Sequence, residues 1–439
     1  MIITRFAPSP TGFLHVGNLR TALINFLVAK KNNGTFILRL DDTDPARSKT
    51  IYVDQIKRDL EWLGLEWDRV ETQSSRIERY KSVALELKRI DRLYEAFETS
   101  TELELKRKKQ LNMGKPPVYD RSALNISAKE LKNLKETGDG YWRFLLDHNR
   151  VNWQDGILGS MSIDSKSVSD PVLIRKDGQF LYTLASVVDD IDMGITNVVR
   201  GADHVTNTAT QIQIINSLGK VSPSFSHHSL LIGPNGEALS KRLGALSLKD
   251  LKTSGIEAMA LLSHLSSIGT ANPIELSESI EELVRNFDLT HFGSSPTKID
   301  VKNLQPLSVK YLKMLPFKVL REDLEALKID KALHEDFWNM AKNNIQSRAD
   351  LEKWWKICAQ GIKPSISEND KEFINLAFSI LPKFPYDKNT WSIWTRRVQE
   401  KTGRSGKNLY MPLRSALTGM EHGPDMSLLM PLLQHINKP

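Results

Sequence analysis

The chain has 439 residues, 40% of them hydrophobic and 26% charged, with a net charge of +7, a globular composition with room for several domains. No apolar run reaches membrane-spanning length, and the N-terminus lacks the basic-then-apolar layout of a secretory signal, so a cytoplasmic protein with no membrane partner is expected. The single cysteine, Cys358, excludes an internal disulfide and any multi-cysteine zinc site.

Residues 2–6 read as a short strand. The loop Ala7-Pro8-Ser9-Pro10-Thr11-Gly12 follows, where two prolines and a glycine exclude regular structure. Between 17 and 32 the apolar residues Leu19, Leu23, Phe26 and Leu27 recur at helical spacing, and Gly34 closes the element. Phe36, Leu38 and Leu40 then alternate with Ile37 and Arg39 as a second strand. Strand, helix and strand in such close succession make a right-handed parallel unit, and such sheets bind ligands beyond the carboxyl ends of their strands. Arg5 to Ser9 and Asp41 fall at those ends, which brings a basic and an acidic group to the mouth of one crevice.

His15 and Gly17 lie at the start of the helix. Exposed amides and the positive end of the helix dipole favour a phosphate there. Gly17 admits a bulky ligand close to the backbone, and His15 can donate a hydrogen bond to a phosphate oxygen. The loop is neither the Lys-Ser/Thr phosphate loop nor the GxGxxG fingerprint, and taken singly His15 reads more readily as an ordinary loop histidine.

Further on, residues 101–113 form a predicted helix with a basic run from Lys106 to Lys109. That run can touch RNA phosphates and reads more simply as a solvated face. Residues 230–232 read as a strand end, and Pro234-Asn235-Gly236 as a tight turn, since Asn-Gly accepts positive φ at little cost. Ser240, Lys241 and Arg242 follow on a loop, where a Lys-Arg pair can close over phosphates; alone, the segment reads more readily as a solvated basic turn.

From Val301 onward Lys and Arg outnumber Asp and Glu, 22 to 15, which accounts for the whole net charge. Trp338, Trp354, Trp355, Trp391 and Trp394 lie there too. A basic surface with aromatics suits a polyanionic, base-stacking partner such as RNA; the plainer reading is a solvated helical domain with core tryptophans.

Together these residues carry a family resemblance. Ala7-Pro-Ser-Pro-Thr-Gly-Phe-Leu-His-Val-Gly-Asn18 resembles the first signature of class I aminoacyl-tRNA synthetases in its bacterial glutamyl form, and Ala238-Leu-Ser-Lys-Arg242 resembles their second. Leu38-Arg-Leu-Asp-Asp-Thr-Asp44 is similar to the family's second strand. Tyr182-Thr-Leu-Ala-Ser-Val-Val-Asp-Asp190 and Val198-Val-Arg-Gly-Ala-Asp-His204 are similar to its substrate-binding segments. Tyr410-Met-Pro-Leu-Arg-Ser-Ala-Leu-Thr-Gly419 and Glu421-His-Gly-Pro424 look like the end of its anticodon-binding domain, and the matches run in order along nearly the whole chain.

The resemblance implies an α/β fold. A Rossmann-like catalytic domain (1–96 and 180–240) carries an inserted α+β acceptor-binding domain (97–179), followed by an all-helical stem-contact (241–310) and anticodon-binding (311–439) region. It implies a two-step reaction: L-glutamate attacks the α-phosphate of ATP, and the glutamyl group of the adenylate then moves to the terminal adenosine of tRNA. No covalent enzyme intermediate is needed, so catalysis is positioning plus stabilisation of charge on the phosphate.

His15 and Lys241 are the residues the resemblance gives that task. ATP is expected at Thr11, His15, Gly17, Asn18, Asp203, Ser240 and Lys241, with Mg²⁺ held largely by phosphates and water. Glutamate is expected at Arg5, Ala7, Ser9, Asp41, Tyr182, Ser186 and Arg200. Arg5 and Arg200 sit at predicted strand ends, where each can clamp a carboxylate bidentately, while Ser9 and Asp41 face the ammonium. Asp42 and Asp44 read better as turn or helix caps ahead of Pro45.

Asp41 stands where many relatives have glutamate, Ser186 where asparagine is common, Ala238 where a lysine is, and Leu243 where a histidine is frequent. Relatives that carry zinc in the insertion use cysteines; Thr99, Thr101 and Ala123 occupy that neighbourhood here, and no zinc is expected. Arg396, Arg397, Arg404 and Lys407 are the candidate anticodon contacts. A monomer is expected, with tRNA-Glu as partner. Charging of tRNA-Gln as well, or a non-catalytic tRNA-binding paralogue, stay open as alternatives.

Overall fold

The computed structural model describes residues 1–138, 140–237, 247–364 and 366–438. The chain divides into two compact units, residues 1–251 with 261–301 and residues 252–260 with 302–439.

In the first unit the opening strand–helix–strand forms as its pattern dictates: strand Ile3–Phe6, helix Val16–Lys31 and strand Thr35–Leu40. The strands pair in parallel, Ile3 opposite Thr35 through Phe6 opposite Leu38, and Arg69–Thr72 adds a third parallel strand. Leu19, Leu23, Ile24 and Leu27 of the helix are fully buried, and Phe26 meets Phe36 edge-on at 5.6 Å. Gly34 is required where the helix turns back, because a Cβ there would lie 2.2 Å from the Ile2 carbonyl oxygen.

Beyond the first strand the backbone continues the layer. The Thr196 amide donates to the Ile3 carbonyl at 3.0 Å, and the Ile3 amide to Thr196 Oγ1 at 2.8 Å. Asn197–Gly201 and Ser224–His228 follow as parallel neighbours, and the hairpin Arg150–Asp155 with Gly159–Asp164 completes that sheet through Asp155 opposite Phe225. This is a finding the sequence pattern did not suggest: residues 150–164 lie in the stretch read as the insertion, yet they pair with a central strand. The rest of that stretch pairs its strands Tyr141–Phe144 and Val172–Ile174 with Leu93–Ala96, which precedes it, in an antiparallel sheet.

The helix Ser100–Asn112 of that stretch buries no residue; within the basic run residues 107–109 are exposed, with Lys108 paired to Glu104 at 3.1 Å, whereas Lys106 is half-buried and tied to Asp120 at 3.2 Å. The stretch 241–310 is not wholly helical: Thr297–Lys298 pairs in parallel with Leu231–Ile232. The turn at 234–236 forms, with the Gly236 amide donating to the Gly233 carbonyl and a φ of +87° at Gly236.

The second unit is helical, with no strand among the described residues. Its core gathers Phe337, Trp338, Trp354, Phe378 and Trp394, all at most 6% exposed. The indole N–H groups of Trp338 and Trp394 donate to the carbonyls of Leu315 and Ala377, both at 2.8 Å. These three tryptophans are core residues, as an indole buried with its N–H satisfied normally is. Trp355 and Trp391 pack edge-on against Phe337 and Trp394. Among the described residues no helix is long and apolar enough to cross a membrane.

Candidate active site

The parallel strands deliver their carboxyl ends to one cavity of about 640 Å³ in the first unit. Its wall brings together ten of the residues singled out in the sequence: Arg5, Ala7, Ser9, Thr11, His15, Gly17, Asn18, Tyr182, Arg200 and Asp203. Asp203 is the only carboxylate among them.

His15 does something the sequence reading did not foresee. It is the N-cap of the first helix: its Nδ1 accepts from the amides of Gly17 at 3.1 Å and Asn18 at 3.4 Å, while Asn18 Oδ1 accepts from the His15 amide at 3.3 Å. The amides expected to greet a phosphate are therefore already occupied by the imidazole. With Nδ1 an acceptor, a neutral ring carries its proton on Nε2. The helix end thus fixes the tautomer that offers a donor from a pocket-wall residue.

Arg200 is 4% exposed and makes its hydrogen bonds to neutral groups. Nη2 donates to Thr208 Oγ1 at 2.5 Å and Gln211 Oε1 at 2.7 Å, Nη1 to the Tyr182 hydroxyl at 3.2 Å, and Nε faces His227 Nε2 at 3.4 Å. Among the described residues no carboxylate pairs with it, and burial lowers its pKa. Because Tyr182 accepts from Arg200, its own O–H is available to donate. One N–H of Arg200 and the phenol of Tyr182 converge on the cavity.

Arg5 is held differently. Its Nε and Nη2 edge engages Asp190 at 3.1 and 3.4 Å, and Asp190 also takes Nη1 of Arg39 at 2.7 Å. The Nε edges of Arg5 and Arg200 are both turned to protein groups: Arg5 keeps Nη1 and one Nη2 N–H for a ligand, whereas Arg200 keeps a single Nη1 N–H. Asp41 gives its carboxylate to Arg39 and lines an adjoining cleft of about 220 Å³, which shares Ser9, Thr11 and Tyr182 with the main cavity. Ser186 stands behind the wall: its Oγ accepts from Gln211 Nε2 at 2.8 Å, so it reaches the cavity only through Gln211 and Arg200. Ala238, Ser240, Lys241 and Leu243 lie outside the described residues.

Residues 1–306 match the family described as tRNA synthetases class I (E and Q), catalytic domain. The chain belongs to this family. Residues 303–435 match the anticodon binding domain family, in keeping with the helical second unit. A glutamate–tRNA ligase 2 from Ruegeria sp. is 60% identical over 437 residues, and a glutamate–tRNA ligase 1 from Ruegeria pomeroyi is 59% identical over 437, each covering 99% of both chains. Among solved structures, the glutamate–tRNA synthetase from Elizabethkingia anophelis is similar with a TM-score of 0.83 at 25% identity, covering 98% of this chain and 97% of that one. A glutamate–tRNA ligase from Elizabethkingia meningosepticum, crystallised with its amino acid, has the same fold, with a TM-score of 0.84 at 24% identity over 98% of this chain and 96% of that one.

Several residues of this class I synthetase site carried no sequence signal of their own. His228 and His204 are on the cavity wall. His228 is pushed down to about 4 by burial and the nearby Arg20, so it is neutral, with Thr21 Oγ1 2.9 Å from its Nε2. Asp190 and His204 close the two quoted motifs that carry Tyr182 and Arg200, which is the signal that could have found them. Among the described residues, no group of three or more His, Cys, Asp or Glu is placed to hold a metal.

In the second unit Arg397 lines a cleft of about 430 Å³ together with Lys383 and Lys401, and Arg396 and Lys407 are exposed. Arg404 is engaged within the protein: it donates to Asp370 at 2.6 Å and lies over the Phe373 ring at 4.0 Å.

Proposed function

We propose that this cavity activates L-glutamate with ATP and transfers it to tRNA-Glu, releasing AMP and pyrophosphate. One observation carries the choice of amino acid: Arg200 is a buried cation without a carboxylate partner among the described residues, beside a phenol ready to donate. A buried charge is costly unless paired, and a carboxylate ligand supplies the missing charge where a neutral amide does not. The side-chain carboxylate of glutamate therefore sits between Arg200 and Tyr182. The Nη donors of Arg5 serve the amino acid as well, and Ser9, at the junction of the two clefts, faces the ammonium with Asp41 behind it.

The α-carboxylate then lies toward the helix N-terminus, where ATP is placed along Thr11, His15, Gly17 and Asn18. Its oxygen attacks the α-phosphorus, the bond to the bridging oxygen breaks, and pyrophosphate leaves. His15 contributes a preset Nε2–H to the charge growing on the phosphate; it is oriented by the helix end before substrate arrives, and such preorganised donors stabilise a transition state most. Lys241 is proposed to add a second positive charge from its loop. Mg²⁺ would come with ATP, bound mainly by phosphates and water; among the described residues Asp203 is the carboxylate on the wall that could hold it or its water. In the second step the 2′-hydroxyl of the terminal adenosine takes the glutamyl group.

ATP–pyrophosphate exchange with glutamate and tRNA tests the first step. Exchange at background with glutamate, or exchange supported equally by glutamine, refutes the assignment of Arg200. Charging of separately purified tRNA-Glu and tRNA-Gln decides the acceptor, and glutamylation of tRNA-Gln would correct it to the broader specificity.

A further inference from the structure

Arg200 is held from behind by two residues that do not line the cavity. His227 is fully buried, and its Nε2 lies 3.4 Å from Arg200 Nε and 2.8 Å from Thr208 Oγ1, the same hydroxyl that accepts from Arg200 Nη2. On the other side of the ring, Nδ1 makes a short contact with Asp155 Oδ2. Asp155 is 2% exposed, and its Oδ1 accepts the amides of His227, Ile157 and Leu158, each at 3.0 Å, while Trp153 Nε1 lies 3.4 Å from Oδ2. The rings of Phe225 and Trp153 flank the imidazole at 6.4 and 6.5 Å.

From this arrangement we infer that Asp155 and His227 are positioning residues for amino-acid recognition: they fix the His227 tautomer that accepts from Arg200 Nε, and so aim the remaining Nη1 donor of Arg200 at the substrate carboxylate. The inference rests on the reading of Arg200 as a glutamate contact.

The chemistry runs in one direction. Burial alone would raise the Asp155 carboxyl, but hydrogen bonds from His227 and the backbone amides outweigh it and hold the group well below the usual carboxylate range. Ionised Asp155 can only accept, so the His227 proton sits on Nδ1 and the lone pair of Nε2 points at Arg200 and Thr208. Nε and both N–H groups of Nη2 are then committed to protein acceptors. The guanidinium cannot rotate without breaking a buried hydrogen bond, and the remaining Nη1 donor stays on the cavity side beside Tyr182. Asp155 belongs to the hairpin Arg150–Asp155 with Gly159–Asp164, so a segment distant in sequence supports the amino-acid pocket from the rear.

Asp155→Asn is nearly isosteric but presents an N–H to Nδ1. It forces the ring proton onto Nε2, where two N–H groups then face each other, as when the carboxylate behind a catalytic histidine is changed to an amide. ATP–pyrophosphate exchange on the full chain with saturating tRNA should show KM for glutamate raised ~10-fold or more with KM for ATP little changed, as for other residues that orient a binding group from behind, while the melting temperature falls with the loss of a buried, depressed carboxylate. Thr208→Val, which removes the hydroxyl shared by His227 and Arg200, should move KM for glutamate the same way and decides the matter should Asp155→Asn not fold. In an Arg200→Lys background, which lacks the Nε–H, Asp155→Asn should add little; a merely structural role would add its full effect there.

If Arg200→Lys itself leaves KM for glutamate unchanged, the reading of Arg200 falls and the positioning role with it. If Arg200→Lys raises KM but Asp155→Asn and Thr208→Val leave it unchanged, or if Asp155→Asn acts fully in the Arg200→Lys background, the positioning role alone is overturned.

Discussion

Asp41 gives both of its carboxylate oxygens to Arg39: Oδ1 accepts from Nε at 2.7 Å and Oδ2 from Nη2 at 3.1 Å. Arg39 is fully buried, also serves Asp190 through Nη1 and lies 3.8 Å from Asp189 Oδ2 through Nε, so one guanidinium is shared by three carboxylates. Burial outweighs the share of charge left for Asp41 and pushes its carboxyl up to about 6. Because this lies above the ordinary value of 3.8, the fold binds more protons than the unfolded chain between the two, and the contribution of Asp41 to stability declines as pH rises across that window.

Substrate binding has the opposite sign. An ammonium group near Ser9 is favoured by ionised Asp41, so affinity for glutamate should weaken as pH falls through about 6. KM for glutamate measured by exchange between pH ~5 and ~8 should show this rise on the acid side, and Asp41→Asn should flatten it. A slope that persists in the variant assigns the titration to another group.

The double role of His15 separates into two substitutions. Asn can still cap a helix through its side-chain oxygen but places no donor where Nε2 lies, so His15→Asn should keep the melting temperature while kcat for exchange falls ~100-fold, the scale for losing one oriented donor. His15→Ala should lose the same activity and about 1 kcal/mol of stability with the cap. Equal activity in His15→Asn and the parent would leave His15 with the cap alone.

What was legible in the sequence is what local rules govern. Leu19, Leu23 and Leu27 announced the first helix, Gly34 its end, and the strand ends then placed Arg5, Ser9 and Asp41 near one crevice without any knowledge of the rest of the chain. What was not legible depends on distant partners. His227 finds Asp155 across 72 positions, and nothing in either neighbourhood marks the pair, since the periodicity of a strand specifies a face but not the residue opposite. The same limit explains the two-residue strand Thr297–Lys298, too short to show a period, and Ser186, whose place behind the wall is set by Gln211 on another helix. For Arg404 the signal was charge, which a brace to Asp370 and an RNA contact share.

The stretch read as the insertion carries a half-buried carboxylate that gathers three hydroxyl donors. Glu98 accepts hydroxyl hydrogen bonds from Ser122 at 2.7 Å, Tyr119 at 2.8 Å and Tyr141 at 3.0 Å. Burial opposes ionisation there, yet these bonds hold the carboxyl down to about 2. A depressed carboxylate contributes stability above its unfolded value of 4.5, and that contribution is lost as pH falls toward 2. Glu98→Gln, with a single acceptor for three hydroxyls, should cost roughly 1–3 kcal/mol at neutral pH, and the gap from the parent should narrow in acid. A zinc-selective chelator should leave the melting temperature of the parent unchanged; a drop would show that a metal shares the task.

In the second unit Arg397 and Arg404 are seven positions apart and should behave in opposite ways. Arg397 stands beside Lys383 and Lys401 at an open cleft, whereas Arg404 is held between Asp370 and the face of Phe373. A basic side chain that meets a phosphate raises the tRNA KM when removed and lowers the salt dependence of binding by about one unit of slope. Arg397→Ala should do both and leave the melting temperature alone. Arg404→Ala removes a partly exposed ion pair and a cation–π contact, so it should lower stability by about 1 kcal/mol while the salt slope stays that of the parent. Aminoacylation kinetics across a salt series, with a thermal melt of each variant, distinguishes the two; a reduced salt slope in Arg404→Ala would return that residue to the RNA surface.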